Sequence, residues 1–362
     1  MSYYENFSLF DHDHPYSLSS FEKNKIFLSF LNELTAHHIK NSTAYAKIVS
    51  SQSNQFFAYR LEDVPFIPVR LFKFLDLLSV PRESVYKTLT SSGTSGQSLS
   101  RIYLGRDNAA IQAKILGAIM ADFLGKQRLP MLIIDAENIL KDRAKFNARA
   151  AGILGFSMYG RGHAYALDGE MNLKLESLIL FLEKYRESGI FVFGFTFVIW
   201  KFLLQALEKA KFKVDFGARS LLLHGGGWKK LNEESVSSEV FKFKLLKQAG
   251  LRKIHNYYGM VEQTGSIYME CAYGHLHTSN YSDVIIRDPI SFKPLSFNEQ
   301  GLVQVISLLP FSYPGHSLLT EDMGILLGED DCPCGRMGRY FHIMGRMDLA
   351  EIRGCSDVRS FT

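Results

Sequence analysis

Cysteine is scarce, with 4 in 362 residues, and so few in a chain of this size exclude a disulfide framework. Long apolar runs are missing as well. The stretch 301–320 is uncharged, but Gln304, Pro310, Pro314, Gly315 and His316 interrupt it, so it cannot form a membrane-spanning helix. The first 13 residues are aromatic and acidic, without the basic start and apolar centre of a secretion signal. Charge of one sign is in short supply too. Lys plus Arg number 41 against 37 Asp plus Glu, a net of +4, and no Lys/Arg-dense stretch concentrates the excess, which argues against a nucleic-acid partner. Repeats and low-complexity tracts are absent. What remains is a globular composition, 46% hydrophobic and 22% charged, expected of a cytoplasmic enzyme without a membrane span.

The first 85 or so residues lack a clean strand–helix rhythm and offer helical patches at 20–34 and 42–49, with a turn-rich segment at 64–68. Beyond residue 89 the rhythm is regular. An Asp107-capped helix runs to Leu124 and is closed by Gly125, a strand follows at 129–134, and a helix region at 139–154. Further helices are predicted at 172–188, 197–209 and 235–248, with strands at 190–195, 219–224 and 253–258. Strands alternating with helices of this length imply a buried, mostly parallel sheet. After Tyr258 the chain turns strand-rich, at 266–270, 283–287, 301–308, 324–327 and 340–344, as in an appended β subdomain. The expected fold class is therefore α/β.

Three segments carry chemistry. Thr90-Ser91-Ser92-Gly93-Thr94-Ser95-Gly96-Gln97 interleaves small hydroxyl residues with glycine, so that backbone N–H groups and hydroxyls can converge on one phosphate. No Gly-Lys-Ser/Thr follows, so it is not a Walker A loop; a plain Ser/Gly linker is the alternative. His224-Gly225-Gly226-Gly227-Trp228 looks like a hydrolase oxyanion loop, but no Gly-x-Ser-x-Gly elbow exists anywhere in the chain, which excludes that enzyme class. A glycine run at a strand end also lets a flat ligand approach the backbone. Tyr257-Tyr258-Gly259-Met260-Val261-Glu262 sets an aromatic surface beside a carboxylate suited to Mg²⁺ at a polyphosphate. Separately, Cys271 with His275 or His277, and Cys332-Pro333-Cys334, offer thiolate and imidazole ligands for a structural Zn²⁺ that would clip two distant β segments together.

Taken in order, these segments resemble the adenylate-forming (acyl-activating) superfamily, most closely the LuxE-like acyl-protein synthetases, with phenylacetate-CoA ligase-like enzymes as relatives. Thr320-Glu321-Asp322 matches the superfamily's ribose-binding Thr-Gly-Asp, with Glu321 in place of glycine, and Gly345-Arg346-Met347-Asp348 matches its hinge Gly-Arg-x-Asp. The resemblance implies the large N-terminal domain of such an enzyme, mixed β-sheets flanked by helices, without the small C-terminal lobe and its lysine. It implies an N-terminal lead segment at 1–88, an adenylate-forming core at 89–345, and a hinge and tail at 346–362.

The resemblance further implies ATP and Mg²⁺ as cofactors. Thr90, Ser91, Ser92, Gly93, Thr94 and Gly96 would cradle the phosphates, Gly225, Gly226 and Gly227 form the adenine-side turn, and Tyr258, followed by Gly259, stacks on adenine. Glu262 would engage Mg²⁺, Asp322 accept from the ribose hydroxyls, and Arg346 add a positive contact. It also favours His277 over His275, giving Cys271, His277, Cys332 and Cys334 as the metal set. Cys355, in Gly-Cys-Ser-Asp, matches the cysteine that takes the acyl group from the adenylate in LuxE-like proteins, before passing it to an acyl-CoA reductase-type partner. A tethered thiol prepays part of the entropic cost of encounter, and Arg353 or Arg359 would raise its thiolate fraction. The implied activity is ATP-dependent, AMP-forming ligation of a carboxylic acid, expected to be fatty. Two other readings are carried forward: transfer to CoA or a carrier protein with Cys355 uninvolved, and a non-catalytic assembly subunit. Gly194, Phe195 and Thr196, and a loop at Arg161-Gly162-His163, are lesser candidates for lining the substrate pocket.

Overall fold

The computed structural model describes residues 9, 14–52, 56–91, 99–140, 148–228 and 234–347. The chain divides into two compact units: Met1–Pro15, Leu89–Leu99 and Ala110–Leu276 make one, and Tyr16–Thr88, Ser100–Ala109 and His277–Thr362 the other.

The first unit is built on β4 (Leu129–Ala136), β5 (Gly160–Leu167), β6 (Phe191–Phe195), β7 (Leu221–Gly225), β8 (Lys253–Tyr258) and β9 (Tyr268–Glu270). They lie in the order β9-β8-β7-β6-β4-β5. All neighbours are parallel except β8 and β9. The residues 131–134, 191–193 and 221–223 are apolar and buried throughout, the continuous runs of a parallel sheet covered on both faces. The connecting helices are α3 (Arg106–Leu124, of this unit from Ala110), α4 (Ala148–Ser157), α5 (Leu175–Tyr185), α6 (Thr196–Val198), a π-helical stretch (Ile199–Leu204), α7 (Gln205–Lys209) and α8 (Ser238–Ala249). Gly125, at φ 79°, closes α3 as expected, but Asp107 lies within its first turn and does not cap it. A strand replaces the expected loop at Arg161-Gly162-His163. Five of the eight residues of β5 are at least half-exposed, so its sequence lacks the apolar run that marked its neighbours.

The second unit carries an antiparallel sheet of β11 (Ser282–Arg287), β12 (Gln300–Ser307), β13 (Ser317–Glu329) and β14 (Arg339–Arg346). The short β1 (Ile67–Pro68) pairs in parallel with β13. Its helices are α1 (Ser20–Asn41), opened by a Ser19/Glu22 capping box, and α2 (Thr43–Gln52). Helix α1 outruns its predicted end because polar residues of its last turns are buried. His38 Nε2 donates to the Pro310 carbonyl at 3.2 Å, which leaves Nδ1 to accept from the Ser79 hydroxyl at 2.8 Å. Thr35 Oγ1 lies 3.1 Å from His316 Nε2, and the His38 and His316 rings stack at 4.9 Å. Nearer the start of α1, Lys23 is 1% exposed and its ammonium is 3.0 Å from Asp283. The same ammonium donates to Thr278 Oγ1 and to the Ser279 and Ser282 carbonyls.

Candidate functional site: strand ends and a thiolate–imidazole cluster

In the first unit the parallel strands deliver several of the singled-out residues to their carboxyl ends, the usual ligand-binding edge of such a sheet. Phe195 of β6 stands opposite Gly225 of β7, which stands opposite Tyr257 of β8. Gly226 and Gly227 follow with φ of 77° and 57°, a conformation glycine adopts without the steric cost of a side chain. Space requires glycine too. A Cβ on Gly225 would sit 2.6 Å from the Tyr257 ring, and one on Gly226 would overlap the Phe195 ring, whereas one on Gly227 would meet nothing within 4 Å. Gly226 and Gly227 are exposed, so their bare backbone can receive a flat ligand.

Tyr258 ends β8 half-exposed, its ring 6.1 Å from that of Tyr268, and Gly259 follows it into solvent. Glu262 lies in a single 3₁₀ turn (Val261–Gln263) and is 7% exposed. The turn is closed by Gly265 at φ 91°, where a Cβ would come within 2.8 Å of the Gln112 carbonyl oxygen.

Beneath the glycine run lies a pair that sequence reasoning did not find. Thr196 Oγ1 is 2.9 Å from His224 Nδ1 and 3.1 Å from the Gly225 carbonyl oxygen. One arrangement satisfies both: the threonine donates to the carbonyl and accepts from His224 Nδ1–H. Burial, reinforced by the charges of Lys242 and His255, pushes the His224 pKa down to about 3, so the ring is neutral at pH 7. Thr196, expected to border substrate, is 6% exposed and braces the first glycine's carbonyl. Nothing in the local sequence links positions 196 and 224; only the pairing of β6 with β7 does.

The hydroxyl–glycine segment enters at the end of β2 (Lys87–Thr90), which pairs with β3 (Arg101–Leu104). Thr90 is exposed and Ser91 half-exposed. Ser92, Gly93, Thr94 and Gly96 lie outside the described residues, as does Cys355.

In the second unit, Thr320-Glu321-Asp322 lies within β13. Thr320 Oγ1 donates to the Val303 carbonyl at 2.7 Å and accepts from Asp322 N–H at 3.1 Å, which fixes the backbone beside the carboxylate. Asp322 stands opposite Arg346 in the register of β13 with β14. Glu321, which replaces the expected glycine, uses its side chain on Arg346, Oε2 to Nη2 at 2.9 Å, and its carbonyl accepts from Met347 N–H.

The donor atoms of His277, Cys332 and Cys334 lie within 4.8 Å of one another, with Cys334 Sγ 3.4 Å from His277 Nε2. His277 ends β10 (Leu276–His277), is fully buried, and stacks on Tyr340 at 5.6 Å. Gly335, at φ 79°, closes the Cys332-Pro333-Cys334 turn by donating to the Cys332 carbonyl. In the first unit Cys271 is also buried and accepts an N–H bond on sulfur from Tyr273 at 3.4 Å. Soft sulfur donors and an imidazole, without a carboxylate, are a set that suits Zn²⁺.

The sequence profile described as acyl-protein synthetase, LuxE, matches residues 4–361. A long-chain-fatty-acid–luciferin-component ligase of Vibrio harveyi is 24% identical over 340 residues, spanning 88% of this chain and 83% of that protein. The ligase of the same name from Aliivibrio fischeri is 22% identical over 355 residues, spanning 94% and 90%. Two crystal structures of 2-hydroxyisobutyryl-CoA ligase share the fold at 18% identity. An open conformation with 2-HIB-AMP and CoA gives a TM-score of 0.67 over 94% of this chain and 79% of that one. A postadenylation state with 2-HIB-AMP gives 0.68 over 93% and 70%. The mixed α/β architecture is thus that of adenylate-forming ligases, as the sequence led one to expect. No helix among the described residues is long and apolar enough to cross a membrane. The chain belongs to the LuxE acyl-protein synthetase family, ATP-dependent ligases that form acyl-adenylates.

Proposed function

We propose that this enzyme activates a long-chain fatty acid as its adenylate, takes the acyl group onto Cys355, and hands it to an acyl-accepting partner of the reductase or carrier type. The supporting observation is the carboxyl edge of the first unit's sheet. There a buried strand ends in two exposed glycines with left-handed backbone, beside Tyr258 and upstream of the nearly buried Glu262. The names of the Vibrio harveyi and Aliivibrio fischeri relatives supply the substrate class.

In this reading ATP lies along the glycine edge, with Tyr258 against the adenine and the backbone of Gly225, Gly226, Gly227 and Gly259 leaving room for it. Thr90, Ser91, Ser92, Gly93, Thr94 and Gly96 donate hydrogen bonds to the phosphates. Asp322 accepts from the ribose hydroxyls and Arg346 adds positive charge. Glu262 would hold Mg²⁺, which neutralises polyphosphate charge when bound. A carboxylate oxygen of the acid attacks the α-phosphorus, and the bond to pyrophosphate breaks. The Cys355 thiolate then attacks the acyl carbonyl carbon, the carbon–oxygen bond to AMP breaks, and AMP leaves. Preorganised donors around the developing charge make the larger catalytic contribution, and tethering of the thiol the second.

Zn²⁺ held by His277, Cys332 and Cys334, with Cys271 as fourth ligand, is proposed as a structural element. The adenylation half is tested by ATP–pyrophosphate exchange. Exchange that depends on added myristic acid is the expected result; absence of exchange with every carboxylic acid tried would leave a non-catalytic subunit as the reading.

A further inference from the structure

Helix α8 turns Phe241, Leu245 and Ala249 into the core of the first unit, and its opposite face stays apolar. Val240, Phe243 and Leu246, three residues apart in succession, are 43%, 58% and 45% exposed, and so share one outward sector of the helix. The segment after α7 runs along the adjoining flank of the helix, on the side of Lys244 and Gln248. Gln248 Nε2 donates to the Phe212 carbonyl at 3.3 Å, and Val214 N–H to the Gln248 carbonyl at 3.0 Å. Lys211, at φ 52°, forms the turn, and Phe212 on it is 38% exposed.

Lysines border this apolar surface. Lys209, Lys211 and Lys213 are exposed on the turn and Lys247 lies on α8 with its ammonium 5.5 Å from the Phe243 ring centroid. None of the four has a carboxylate partner among the described residues. The nearby acids are engaged elsewhere: Glu208 with Lys244 at 2.9 Å, Glu270 with Lys242 at 2.9 Å, and Asp215 with the Gly217 N–H. Glu239, in the first turn of α8, is the remaining acidic neighbour. Three of the four alternate along one short segment, 209–213, and folding adds Lys247 from α8.

We infer that the outer face of α8 and the turn at 209–213 dock on an anionic lipid surface, with Val240, Phe243, Leu246 and Phe212 entering the headgroup–acyl boundary and the four lysines meeting lipid phosphates. The apolar side chains protrude from a helix and a turn, so the surface is convex and calls for a partner that yields. A bilayer interface offers apolar depth and negative charge at every point, and lysine stems can lie along the apolar layer while their ammonium groups reach phosphate. An acidic protein would have to supply a matching groove as well as charge.

The test is sedimentation of the full chain with vesicles. Vesicles of phosphatidylcholine and phosphatidylglycerol in equal parts should carry the protein down at low salt and release it at 0.5 M NaCl, while phosphatidylcholine vesicles should not. Lys211→Gln and Lys213→Gln should each lower the partition coefficient about fivefold. The double change Phe243→Ser with Leu246→Ser should lower it about tenfold or more. These positions are exposed, and an unchanged melting midpoint verifies that each variant is folded. Protein left in the supernatant with anionic vesicles overturns the inference. So does pelleting that ignores Phe243→Ser with Leu246→Ser, or equal affinity for soluble polyglutamate, which would assign the face to an acidic protein.

Discussion

The glycine edge can be probed with two alanines that differ in only one respect. At both Gly226 and Gly227 the backbone is left-handed, so an alanine costs about 1–2 kcal/mol in strain. At Gly227 nothing else opposes the methyl group. At Gly226 the methyl would overlap the Phe195 ring, which cannot retreat easily. It is 4% exposed, and it already lies 3.2 Å from the position a Cβ would take on Gly152. Overpacking of this kind adds about 1–3 kcal/mol. Gly226→Ala should therefore destabilise the first unit by about 2–5 kcal/mol and Gly227→Ala by about 1–2 kcal/mol. Urea unfolding followed by tryptophan fluorescence is the assay. Both tryptophans of the chain, Trp200 and Trp228, belong to this unit, with rings 5.4 Å apart beside the glycines. If the edge also receives adenine, both variants should raise the KM for ATP about fivefold or more, since a lost contact of about 1 kcal/mol has that effect. Equal stability of the two variants would refute the packing argument.

Elsewhere, Lys23→Met should destabilise the second unit by about 3–5 kcal/mol, because it leaves the Asp283 carboxylate buried without its ammonium. Lys23→Met combined with Asp283→Leu should recover much of that loss in the same urea experiment. The histidines predict acid sensitivity. Burial holds His38 well below its usual pKa and pushes His224 and His316 down to about 3. The unfolded chain then binds protons below pH 6.5 that the folded chain refuses, so stability is full above that pH and falls as pH drops toward 3. Each histidine contributes a slope of about 1.4 kcal/mol per pH unit, and His316→Gln should remove one proton's worth from unfolding data between pH 7 and 5. Elemental analysis should find zinc in the purified protein, and Cys332→Ser should abolish it and lower the melting midpoint; zinc retained by that variant would rule out the proposed ligand set.

Where a strand is buried on both faces, the sequence is easy to read. Lys253–Tyr258 has the predicted limits, and β6 and β7 are displaced by one or two residues at their ends. Strands built from polar residues escape detection. β5 presents Arg161, Gly162 and His163 outward, and β13 runs for 13 residues through Thr320, Glu321 and Asp322, of which only a fragment was anticipated. Their polar side chains are satisfied by partners distant in sequence, such as the Val303 carbonyl and Arg346. The same holds for the sites. Short spacings marked the glycine run and the cysteine–histidine cluster, because turns place such neighbours together. The Thr196–His224 brace, the Lys23–Asp283 pair and the His38–His316 stack each join positions between 28 and 278 residues apart, and no local pattern records them.

The acyl-enzyme is the centre of the functional account, and intact-protein mass spectrometry after incubation with ATP, Mg²⁺ and myristic acid reads it directly. The prediction is a mass increase of one myristoyl group, removed by neutral hydroxylamine and missing from Cys355→Ser. A myristoyl adduct of equal yield on Cys355→Ser, or an unmodified wild-type protein that still performs myristate-dependent pyrophosphate exchange, would contradict it.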